Sequence, residues 1–497
     1  MTLKAGISGL RGTIDNQAEN LTPATLLSYV QAFGQWLRAQ HSRPAVALGR
    51  DGRNSSPMIA DLARAGLLSV GCQVVDLGLT LTPTLQFTVS RGAALHGGVM
   101  VTASHNPPPW NGLKFLDSAG FFLSESDWRA LERQRQKLHT PEVPLDQVAT
   151  VTPCPDAFIA HQNAVLSILP VEQIRARRFR VALDACNSGA VLWQGFLQAL
   201  GCDVIACHTE LHGYFSREPE PLPTHLETLR RLVRAAHCDV GFAADPDGDR
   251  LVLVDEQGNA VSEEHTVVLC AQERLHRYPG GPIVVNVVTT HALESLSPHA
   301  NIIRTAVGER HVVAGVQAHQ AILGGEGSGG VIVPQVHLAR DGLGAMGLIL
   351  SWLATTGRTL SELVQALPPW QSVKLKLAPA GASTEPLRQL FQQWQQKLPP
   401  VTTQPQRLVI GQGQQAITLA VSGEQLVVEI HCGPSPVIAQ AHHPRLSHLW
   451  QALDFSALTL DTTDGIKLAT PNAWLSLRPS NTEPILRVIG EYRCADA

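Results

Sequence analysis

The chain has 497 residues, of which 44% are hydrophobic and 16% are charged, so large cores can form and wholesale disorder is excluded. At roughly 100–200 residues per domain, this length predicts about three or four domains. The formal net charge of −4 is too small to indicate a nucleic-acid or membrane partner. Nine cysteines without a Cys-x-x-Cys pair favour reduced thiols over a disulfide framework or a zinc site.

No membrane or export signal stands out in the sequence. No run of about 18 apolar residues indicates a transmembrane helix. The N-terminal segment M-T-L-K-A-G-I-S-G lacks the long apolar region of a signal peptide. Together with the reduced cysteines, these features lead us to expect a cytoplasmic protein.

Helical and strand-like patterns alternate over about the first 370 residues, which predicts α/β layers. Helices are predicted at 21–39, 57–70, 124–138, 191–200, 225–236 and 263–275, from Thr289–Thr290, and up to about residue 354. Strands are predicted at 45–48, 72–77, 97–101, 179–184, 203–206, 239–243, 251–255, 283–288, 302–305 and 321–323.

The pattern changes after about Gln371. A Gln-rich and Pro-rich stretch precedes short alternating strands at 416–421, 425–430 and 473–477, which predict a smaller α+β domain. Polar and proline-rich segments place earlier boundaries near residues 153 and 258. The predicted domains are therefore 1–153, 154–258, 259–370 and 371–497.

The segment Val101–Phe115 leaves a predicted strand as a polar loop that contains three consecutive prolines. Proline fixes φ and has no backbone N–H, so neither a helix nor a central strand can cross Pro107–Pro109. Ser104, His105 and Lys114 together provide a nucleophile with two proton-transfer groups. Taken alone, this segment is equally compatible with a polar loop that caps a sheet.

Three carboxylates alternate in the segment Asp245-Pro-Asp-Gly-Asp-Arg250. Such hard oxygen ligands suit Mg²⁺ or Ca²⁺, and three negative charges this close require a compensating cation. With Glu256 in the twelfth position, the pattern partly imitates an EF-hand loop. The EF-hand is disfavoured, because Arg250 occupies the sixth position, where that turn needs glycine, and the flanks are strand-like.

Three further motifs are rich in glycine or in phosphate-binding groups. Gly325-Glu-Gly-Ser-Gly-Gly330 matches a dinucleotide fingerprint literally, but an apolar run and a proline follow it instead of a helix. Arg478-Pro-Ser-Asn-Thr-Glu-Pro484 combines a guanidinium, two hydroxyls and an amide, which suit a phosphate dianion. Gly6-Ile-Ser-Gly-Leu-Arg-Gly12 is expected to form a sharp turn that presents Arg11 to an anion.

In their order along the chain, these stretches resemble the phosphoserine, metal-binding, sugar-binding and phosphate-binding loops of the α-D-phosphohexomutase superfamily. The resemblance extends from Gly6 to about Glu491. It implies three similar mixed-sheet α/β domains plus a smaller C-terminal α+β domain around a central cleft. It also implies an isomerase that moves phosphate between O6 and O1 of a hexose phosphate, through a phosphoserine and a hexose 1,6-bisphosphate.

The resemblance assigns roles to residues of this chain. The implied catalytic residues are Ser104, Lys114, His105, Arg11 and Arg250. The implied Mg²⁺ ligands are Asp245, Asp247, Asp249 and the phosphate on Ser104. The implied substrate-binding residues are Glu326, Ser328, Arg478, Ser480, Asn481, Thr482 and Arg487. The expected partner is a small hexose phosphate, with no nucleic acid and no membrane, and the chain is expected to be a monomer or homodimer.

The sugar-binding motif departs from the usual pattern, because many members of the superfamily carry histidine where this chain has Gly330. The sequence G-G-V-I-x-P-x-x-H resembles an archaeal-type branch often labelled phosphoglucosamine mutase. Glucosamine phosphate is therefore the favoured substrate, with mannose or glucose phosphate as the alternative. A phosphatase with a phosphoserine intermediate and a non-catalytic sugar-phosphate-binding protein remain as alternatives of other classes.

Overall fold

The structure, a computed structural model, describes residues 3–7, 9–14, 20–137, 143–144, 148–297, 300–378, 385–404, 406–413, 415–431, 436–480 and 485–494. The contacts between residues divide the chain into two compact units. The first unit comprises Met1–Ile283 and Val313–Ala366. The second unit comprises Val284–Val312 and Leu367–Ala497.

The described residues contain fourteen α-helices. In chain order they are α1 (Pro23–Arg38), α2 (Ser56–Ser69), α3 (Thr82–Arg91), α4 (Glu125–Gln136), α5 (Ala157–Ser167), α6 (Val171–Arg177), α7 (Trp193–Ala199), α8 (Glu227–Ala236), α9 (Glu263–Arg277), α10 (Glu309–His319), α11 (Gly342–Thr356), α12 (Leu360–Gln365), α13 (Glu385–Gln396) and α14 (Leu446–Ala452).

The described residues also contain twenty-five strands. The strands up to residue 255 are β1 (Lys4–Gly6), β2 (Gly9–Thr13), β3 (Ala45–Arg50), β4 (Gln73–Leu79), β5 (Gly97–Val101), β6 (Trp110–Leu116), β7 (Val151–Pro153), β8 (Arg180–Asp184), β9 (Asp203–Cys207), β10 (Val240–Ala244) and β11 (Leu251–Asp255). The later strands are β12 (Ile283–Asn286), β13 (Ile302–Thr305), β14 (Leu323–Glu326), β15 (Gly330–Ile332), β16 (Trp370–Leu377), β17 (Val401–Gln404), β18 (Arg407–Gln412), β19 (Gln415–Ser422), β20 (Gln425–His431), β21 (Val437–His442), β22 (Thr459–Asp461), β23 (Ile466–Ala469), β24 (Ala473–Pro479) and β25 (Leu486–Arg493).

Several helices begin where the sequence supplies a capping side chain. Ser124 and Asp127 form a reciprocal capping box at the start of α4. Thr22 caps α1, whose first residue is Pro23. The Asp341 carboxylate accepts from the backbone N–H of Leu343 and so caps α11. These side chains satisfy N–H groups that have no partner within the helix.

The first unit contains two mixed sheets that carry the functional loops. The seven-stranded sheet has the order β1-β2-β6-β5-β3-β4-β7, in which β3, β4, β5 and β7 are parallel. The four-stranded sheet has the order β11-β10-β8-β9, in which only β11 is antiparallel. The predicted α/β architecture with mixed sheets is confirmed. The carboxyl ends of such strands are common sites for ligand-binding loops.

Three candidate loops follow the carboxyl ends of fully buried strands. The Ser104 loop follows β5, the aspartate loop joins β10 to β11, and the glycine-rich turn joins β14 to β15. The pairs β10–β11 and β14–β15 are antiparallel. Apolar residues fill the strands themselves, so the polar groups concentrate at the strand ends.

The second unit contains two five-stranded antiparallel sheets, ordered β16-β25-β24-β23-β22 and β17-β18-β19-β20-β21. Helices α13 and α14 contribute Phe391, Trp394 and Trp450 to the apolar core between these elements. The predicted α+β character of the C-terminal region is therefore confirmed.

The structure departs from the sequence-based prediction at three elements of the chain. The helix predicted from Thr289–Thr290 is wrong, since Thr290 caps only a short 3₁₀ helix at His291–Leu293. Part of the turn expected at Gly6–Gly12 is strand β2. Helix α3 was not predicted, because its Thr-rich sequence buries polar as well as apolar side chains and so lacks a clear helical stripe.

Within the described ranges, no helix has both the length and the apolar character needed to cross a membrane. The eight cysteines that fall in these ranges are free thiols.

A buried lysine lies in the second unit. The Lys467 ammonium on β23 donates to the carbonyl of Val287 (2.5 Å) and lies 2.9 Å from His291 Nε2. It also lies 4.3 Å from the centre of the Trp474 ring. Burial, together with nearby Arg304, lowers the pKa of Lys467 to about 7.

We expect Lys467 to make the stability of the protein depend on pH. Between about pH 7 and the ordinary lysine value of about 10.4, the unfolded chain holds a proton that the folded chain has released. The free energy of unfolding therefore rises with pH through this window. In a Lys467→Met variant, the rise in urea midpoint between pH 7 and pH 10 should be smaller than in the wild type. The control is Lys397→Met, which changes an exposed lysine and should show the same rise as the wild type. Equal slopes in all three proteins would contradict the assignment.

Candidate active site

Ser104 lies on the loop after β5 in an unusual backbone conformation. Its φ is +51°, in the left-handed region that residues other than glycine seldom adopt. The backbone N–H of Ser104 donates to the hydroxyl of Thr102 (2.8 Å). The residue is buried, and contacts from outside the loop must hold this conformation in place.

Arg53 supplies those contacts. Its guanidinium is almost completely buried and donates to four backbone carbonyls of the loop, those of Ser104, Asn106, Pro107 and Trp110. A loop with three prolines has few backbone N–H groups that could bind these carbonyls. Arg53 therefore supplies the hydrogen bonds that backbone N–H groups supply in a helix or a sheet.

Asp51 connects Arg53 to the amide of Ser104. The Asp51 carboxylate accepts from Arg53 Nε (3.1 Å), from Ser56 Oγ (2.5 Å) and from Thr102 Oγ1 (2.7 Å). Thr102 in turn accepts from the Ser104 N–H. Burial raises the pKa of Asp51. The charge of Arg53 and the hydrogen bonds from the two hydroxyl groups act in the opposite direction.

An Arg53→Met variant should lose about 3–5 kcal/mol of stability, because it leaves the buried Asp51 carboxylate without its cation. Chemical denaturation of the two proteins measures this difference. The matched control is Arg129→Met, which removes an exposed ion pair with Glu125 and should cost at most about 0.5 kcal/mol. Similar losses in both variants would show that Arg53 has no special role.

Asp245, Asp247 and Asp249 lie together on the β10–β11 turn. All three are buried, and one carboxylate oxygen of each lies within 4.8 Å of the others. The Oδ1 atoms of Asp247 and Asp249 have no hydrogen-bond partner among the described residues. Buried acceptor oxygens of this kind fit a divalent cation, so these aspartates could hold a metal ion. The EF-hand alternative is wrong, because two strands flank the loop.

Two cationic side chains compensate the aspartates. Lys114 on β6 places Nζ 2.6 Å from Asp247 Oδ2 and 3.7 Å from Asp249 Oδ2. Arg340 places Nη2 2.6 Å from Asp249 Oδ2. The hydroxyl of Thr82, at the start of α3, donates to Asp247 Oδ2 (2.5 Å).

The pKa values of the aspartates separate because their surroundings differ. Burial and the neighbouring carboxylates of Asp249 and Asp247 raise the pKa of Asp245 well above its usual range. Burial acts in the same direction on Asp247, but Lys114 outweighs it and lowers the pKa of that carboxyl. A further cation at the cluster would favour the ionised form of Asp245.

The Ser104 hydroxyl faces this cluster. Its Oγ lies 3.2 Å from Asp245 Oδ2 and 3.3 Å from His105 Nδ1. Burial, followed by the charges of Arg250 and Arg11, lowers the pKa of His105 well below its usual range. The imidazole is therefore neutral near pH 7 and can accept a proton.

Two arginines and one glutamate surround Ser104 and His105. Arg11 on β2 donates to Asn106 Oδ1 (3.3 Å). Arg250 places Nη1 3.1 Å from Glu220 Oε1, and the same oxygen lies 3.8 Å from His105 Nε2. Glu220 therefore contacts both side chains and orients them.

The glycine-rich turn lies next to the aspartates through Arg340. Glu326 ends β14, and its carboxylate lies 2.8 Å from Arg340 Nη1, while Ser328 lies on the turn itself. Gly330 begins strand β15, so the dinucleotide fingerprint is wrong. A Cβ added to Gly330 would come within 2.5 Å of Arg340 Cδ. Arg340 thus fills the space next to Gly330 and binds both Asp249 and Glu326.

The phosphate-binding motif lies in the second unit. Arg478 on β24 and Arg487 on β25 are direct partners in the antiparallel register. Side chains at such paired positions start from the same face of the sheet. The Arg478 guanidinium donates to Asp464 Oδ2 (3.4 Å). Ser480 is buried just beyond Arg478. Asn481 and Thr482 lie outside the described residues.

Comparison with known proteins identifies the family. Models of the three α/β/α domains of phosphoglucomutase/phosphomannomutase match residues 2–142 (domain I), 156–258 (domain II) and 262–370 (domain III). The chain belongs to the α-D-phosphohexomutase superfamily. Members of this family are mutases of the isomerase class, and the chain is a phosphohexomutase.

Full-length relatives support the same assignment. The "Phosphoglucomutase/phosphomannomutase" of Thermococcus kodakarensis is 30% identical over 98% of this chain and 94% of its own length. The "Probable phosphoglucosamine mutase" of Methanopyrus kandleri is 30% identical over 98% of this chain and 93% of its own length. A crystal structure of a phosphoglucomutase/phosphomannomutase family protein from Burkholderia thailandensis has a TM-score of 0.74 at 24% identity, over 98% of this chain and 92% of that one.

The phosphohexomutase brings most of the expected residues together in its first unit. These are Arg11, Ser104, His105, Lys114, Asp245, Asp247, Asp249, Arg250 and Glu326. Ser328 lies on the turn that follows Glu326. Arg478, Ser480 and Arg487 lie in the second unit.

Sequence reasoning missed five residues of this phosphohexomutase site, namely Asp51, Arg53, Thr82, Glu220 and Arg340. Their partners lie far away along the chain, as with Thr82 and Asp247 or Arg340 and Asp249. The sequence offered two signals for them. Asp51 and Arg53 lie in the polar turn after β3, and Glu220 lies in the proline-rich segment 218–223.

Proposed function

We propose that this phosphohexomutase moves phosphate between O6 and O1 of a hexose phosphate, with Ser104 as the phosphoryl carrier. The favoured substrate is glucosamine phosphate. The chain cycles through a phosphoserine and a hexose 1,6-bisphosphate, which serves as both intermediate and activator.

The observation that carries this proposal is the position of Ser104 Oγ. It lies between His105 Nδ1 and Asp245 Oδ2, on a loop that Arg53 holds by four carbonyls. A rigid, buried serine next to a carboxylate cluster suits a group that must accept and return a phosphoryl group without losing it to water.

The transfer requires a balanced exchange of protons. When the Oγ–phosphorus bond breaks and a sugar oxygen–phosphorus bond forms, Ser104 Oγ gains a proton and the sugar hydroxyl loses one. We assign this exchange to Lys114, with His105 next to Oγ and Arg11 close to the same loop. Arg250, oriented by Glu220, places positive charge near the transferring group.

Asp245, Asp247 and Asp249 fit the role of Mg²⁺ ligands, and the phosphate on Ser104 completes the set. When bound, Mg²⁺ would neutralise charge that develops on the transferring phosphoryl group. Lys114 and Arg340, which contact Asp247 and Asp249, keep this acidic cluster compensated.

Sugar and phosphate recognition is assigned to two further sets of side chains. Glu326 and Ser328 bind sugar hydroxyls, and Arg340 orients Glu326. The phosphate that does not react is bound by Arg478, Ser480, Asn481, Thr482 and Arg487. The paired strand positions of Arg478 and Arg487 support this role, because they place two arginines on one face of the sheet and guanidinium groups bind phosphate dianions.

The preference for glucosamine phosphate rests on two features. Gly330 replaces a histidine common in the superfamily, and Arg340 fills the adjacent space. A relative that matches over 93% of its own length carries the phosphoglucosamine mutase name. Mannose and glucose phosphates remain the alternative, since another full-length relative is named for them.

The rest of the proposal concerns organisation and location. We assign the phosphoserine loop to domain 1–153, the metal-binding loop to 154–258, the sugar-binding loop to 259–370 and the phosphate-binding loop to 371–497. The protein acts in the cytoplasm as a monomer or homodimer on small hexose phosphates, without nucleic acid or membrane.

An assay with Mg²⁺ and a trace of hexose 1,6-bisphosphate tests the function. Glucosamine, glucose and mannose 6-phosphates are compared, and hexose 1-phosphate and inorganic phosphate are followed together. We expect 1-phosphate from all productive substrates, fastest from glucosamine 6-phosphate. Inorganic phosphate alone would mean a phosphatase. Binding without either product would mean a non-catalytic sugar-phosphate-binding protein.

A further inference from the structure

A second cluster of metal-ligating side chains lies in the first unit, apart from the aspartate loop. It consists of His161 on α5 together with His337 and Asp341, which precede α11. All three side chains are buried, and their ligand atoms lie within 4.8 Å of one another. Nothing in the proposed reaction uses them.

The spacing of these atoms is close to that of a metal site. Asp341 Oδ2 lies 3.0 Å from His161 Nε2, with which it forms a hydrogen bond, and 3.4 Å from His337 Nε2. Ligands at about 2.0–2.2 Å from a tetrahedral zinc ion lie about 3.3–3.6 Å from one another, so the His337 distance fits as it stands and the His161 distance would open by about 0.3 Å when the ion replaces the shared proton. We propose that His161, His337 and Asp341 bind a Zn²⁺ ion.

His337 gives a reason to expect a ligand there. Its side chain is more than nine-tenths buried, and its Nε2 makes no hydrogen bond with any described residue. A buried ring nitrogen without a hydrogen bond is costly, and the Asp341 carboxylate at 3.4 Å replaces the lost water only in part. A metal ion between Nε2 and Asp341 Oδ2 would satisfy it.

In two of the three ligands, the polar atom that does not face the proposed ion has a hydrogen-bonding partner, as is usual in metal sites. The second ring nitrogen of His161, Nδ1, lies 3.1 Å from the Thr84 hydroxyl. The second oxygen of Asp341, Oδ1, accepts from the Leu343 N–H (2.9 Å). Such contacts fix the tautomer and orientation of a ligand. Phe87 stacks on His161 (5.1 Å between ring centres) and meets His337 edge-on (6.0 Å), which fixes both rings, and a water molecule would fill the fourth position of the ion.

The ligand types select zinc over magnesium. Two imidazole nitrogens and one carboxylate suit Zn²⁺, whereas Mg²⁺ prefers an all-oxygen site such as the aspartate loop. A third group, Asp184, Cys207 and His208, is a weaker candidate, because Arg217 already neutralises Asp184 at 2.7 Å. The absence of Cys-x-x-Cys pairs does not bear on this site, because it contains no cysteine.

The zinc ion would link two segments that are distant in sequence, and a third segment contacts the site through Thr84. Thr84 belongs to α3, His161 to α5, and His337 and Asp341 to the segment that leads into α11. The site is therefore structural, with no part in the phosphoryl transfer.

Zinc analysis of the purified full-length chain tests the proposal. The protein is made without a polyhistidine tag in zinc-supplemented medium, passed into metal-free buffer, and its zinc is measured by mass spectrometry. We expect about one zinc ion per wild-type chain. His337→Gln should lose it, while Asp247→Asn and Cys207→Ser, which alter the other two clusters, should retain it.

A second variant covers the case in which His337→Gln fails to fold. Thr84→Val removes the partner of His161 Nδ1 and should weaken zinc binding by about 10–100-fold in competition with a chromophoric chelator. Cobalt-substituted protein should show the visible absorption of a tetrahedral Co²⁺ site, and His337→Gln should abolish it. A folded wild-type chain that retains no zinc, zinc unchanged in both variants, or zinc lost in Cys207→Ser would each overturn the proposal.

Discussion

A Ser104→Ala variant should lose hexose phosphate isomerisation by at least about 10³-fold while remaining folded. The variant has no oxygen to carry the phosphoryl group, because Ser104 Oγ is the hydroxyl that lies near both His105 Nδ1 and Asp245 Oδ2. Alanine keeps the backbone, and Arg53 binds the loop through backbone carbonyls, so the loop should keep its shape. The measurement is the rate of 1-phosphate formation, with circular dichroism to verify folding.

Uptake of labelled phosphate separates loss of the carrier from general damage. Incubation with hexose 1,6-bisphosphate labelled with ³²P should transfer label to the wild type and to Ser118→Ala, which changes an exposed serine just after β6, but not to Ser104→Ala. A Ser104→Ala protein that keeps a tenth of the wild-type rate, or that still takes up label, would remove Ser104 from the mechanism.

A Lys114→Met variant should lower kcat by about 10²–10⁴-fold, the range expected for loss of a general acid or base. Lys114 is also the closest cation to Asp247, so its removal should cost stability as well. Lys114→Arg distinguishes these effects, because it keeps the charge but cannot release a proton near neutral pH.

We expect Lys114→Arg to unfold at nearly the wild-type denaturant concentration and still to show the large loss in kcat. The control is Lys137→Met, an exposed lysine at the end of α4, which should change neither quantity. If Lys114→Arg restored most of the activity, Lys114 would act only by its charge, and proton transfer would have to be assigned elsewhere.

The parts of the fold that the sequence predicted are those with a local signal. The strands β10 and β11 are short apolar runs, and a capping box marks the start of α4 at Ser124. Helix α3 had no such signal, because it buries Thr82, Thr84 and Gln86 in place of an apolar stripe. What fixes α3 is tertiary contact, such as that between Thr82 and Asp247.

The residues of the candidate site also fall into those with a local sequence signal and those without one. Residues in dense local motifs, such as Ser104 or the three aspartates, could be named from the sequence with the help of the resemblance. Arg53, Glu220 and Arg340 could not, since each acts through one side chain on atoms that lie tens of positions away in sequence. Their local sequences only indicate a turn or an extended segment, so a structure is needed to find them.

The first unit is interrupted in sequence, with Met1–Ile283 followed by Val284–Val312 of the second unit before Val313–Ala366 completes it. During synthesis, the ribosome therefore releases the Ser104 and aspartate loops well before Glu326, Arg340 and helix α11 emerge. Until then, the apolar surface of α9 that α11 covers stays open to water. A nascent chain paused near residue 283 should thus be a target for chaperones, and a message truncated there should yield aggregates and no partial enzyme.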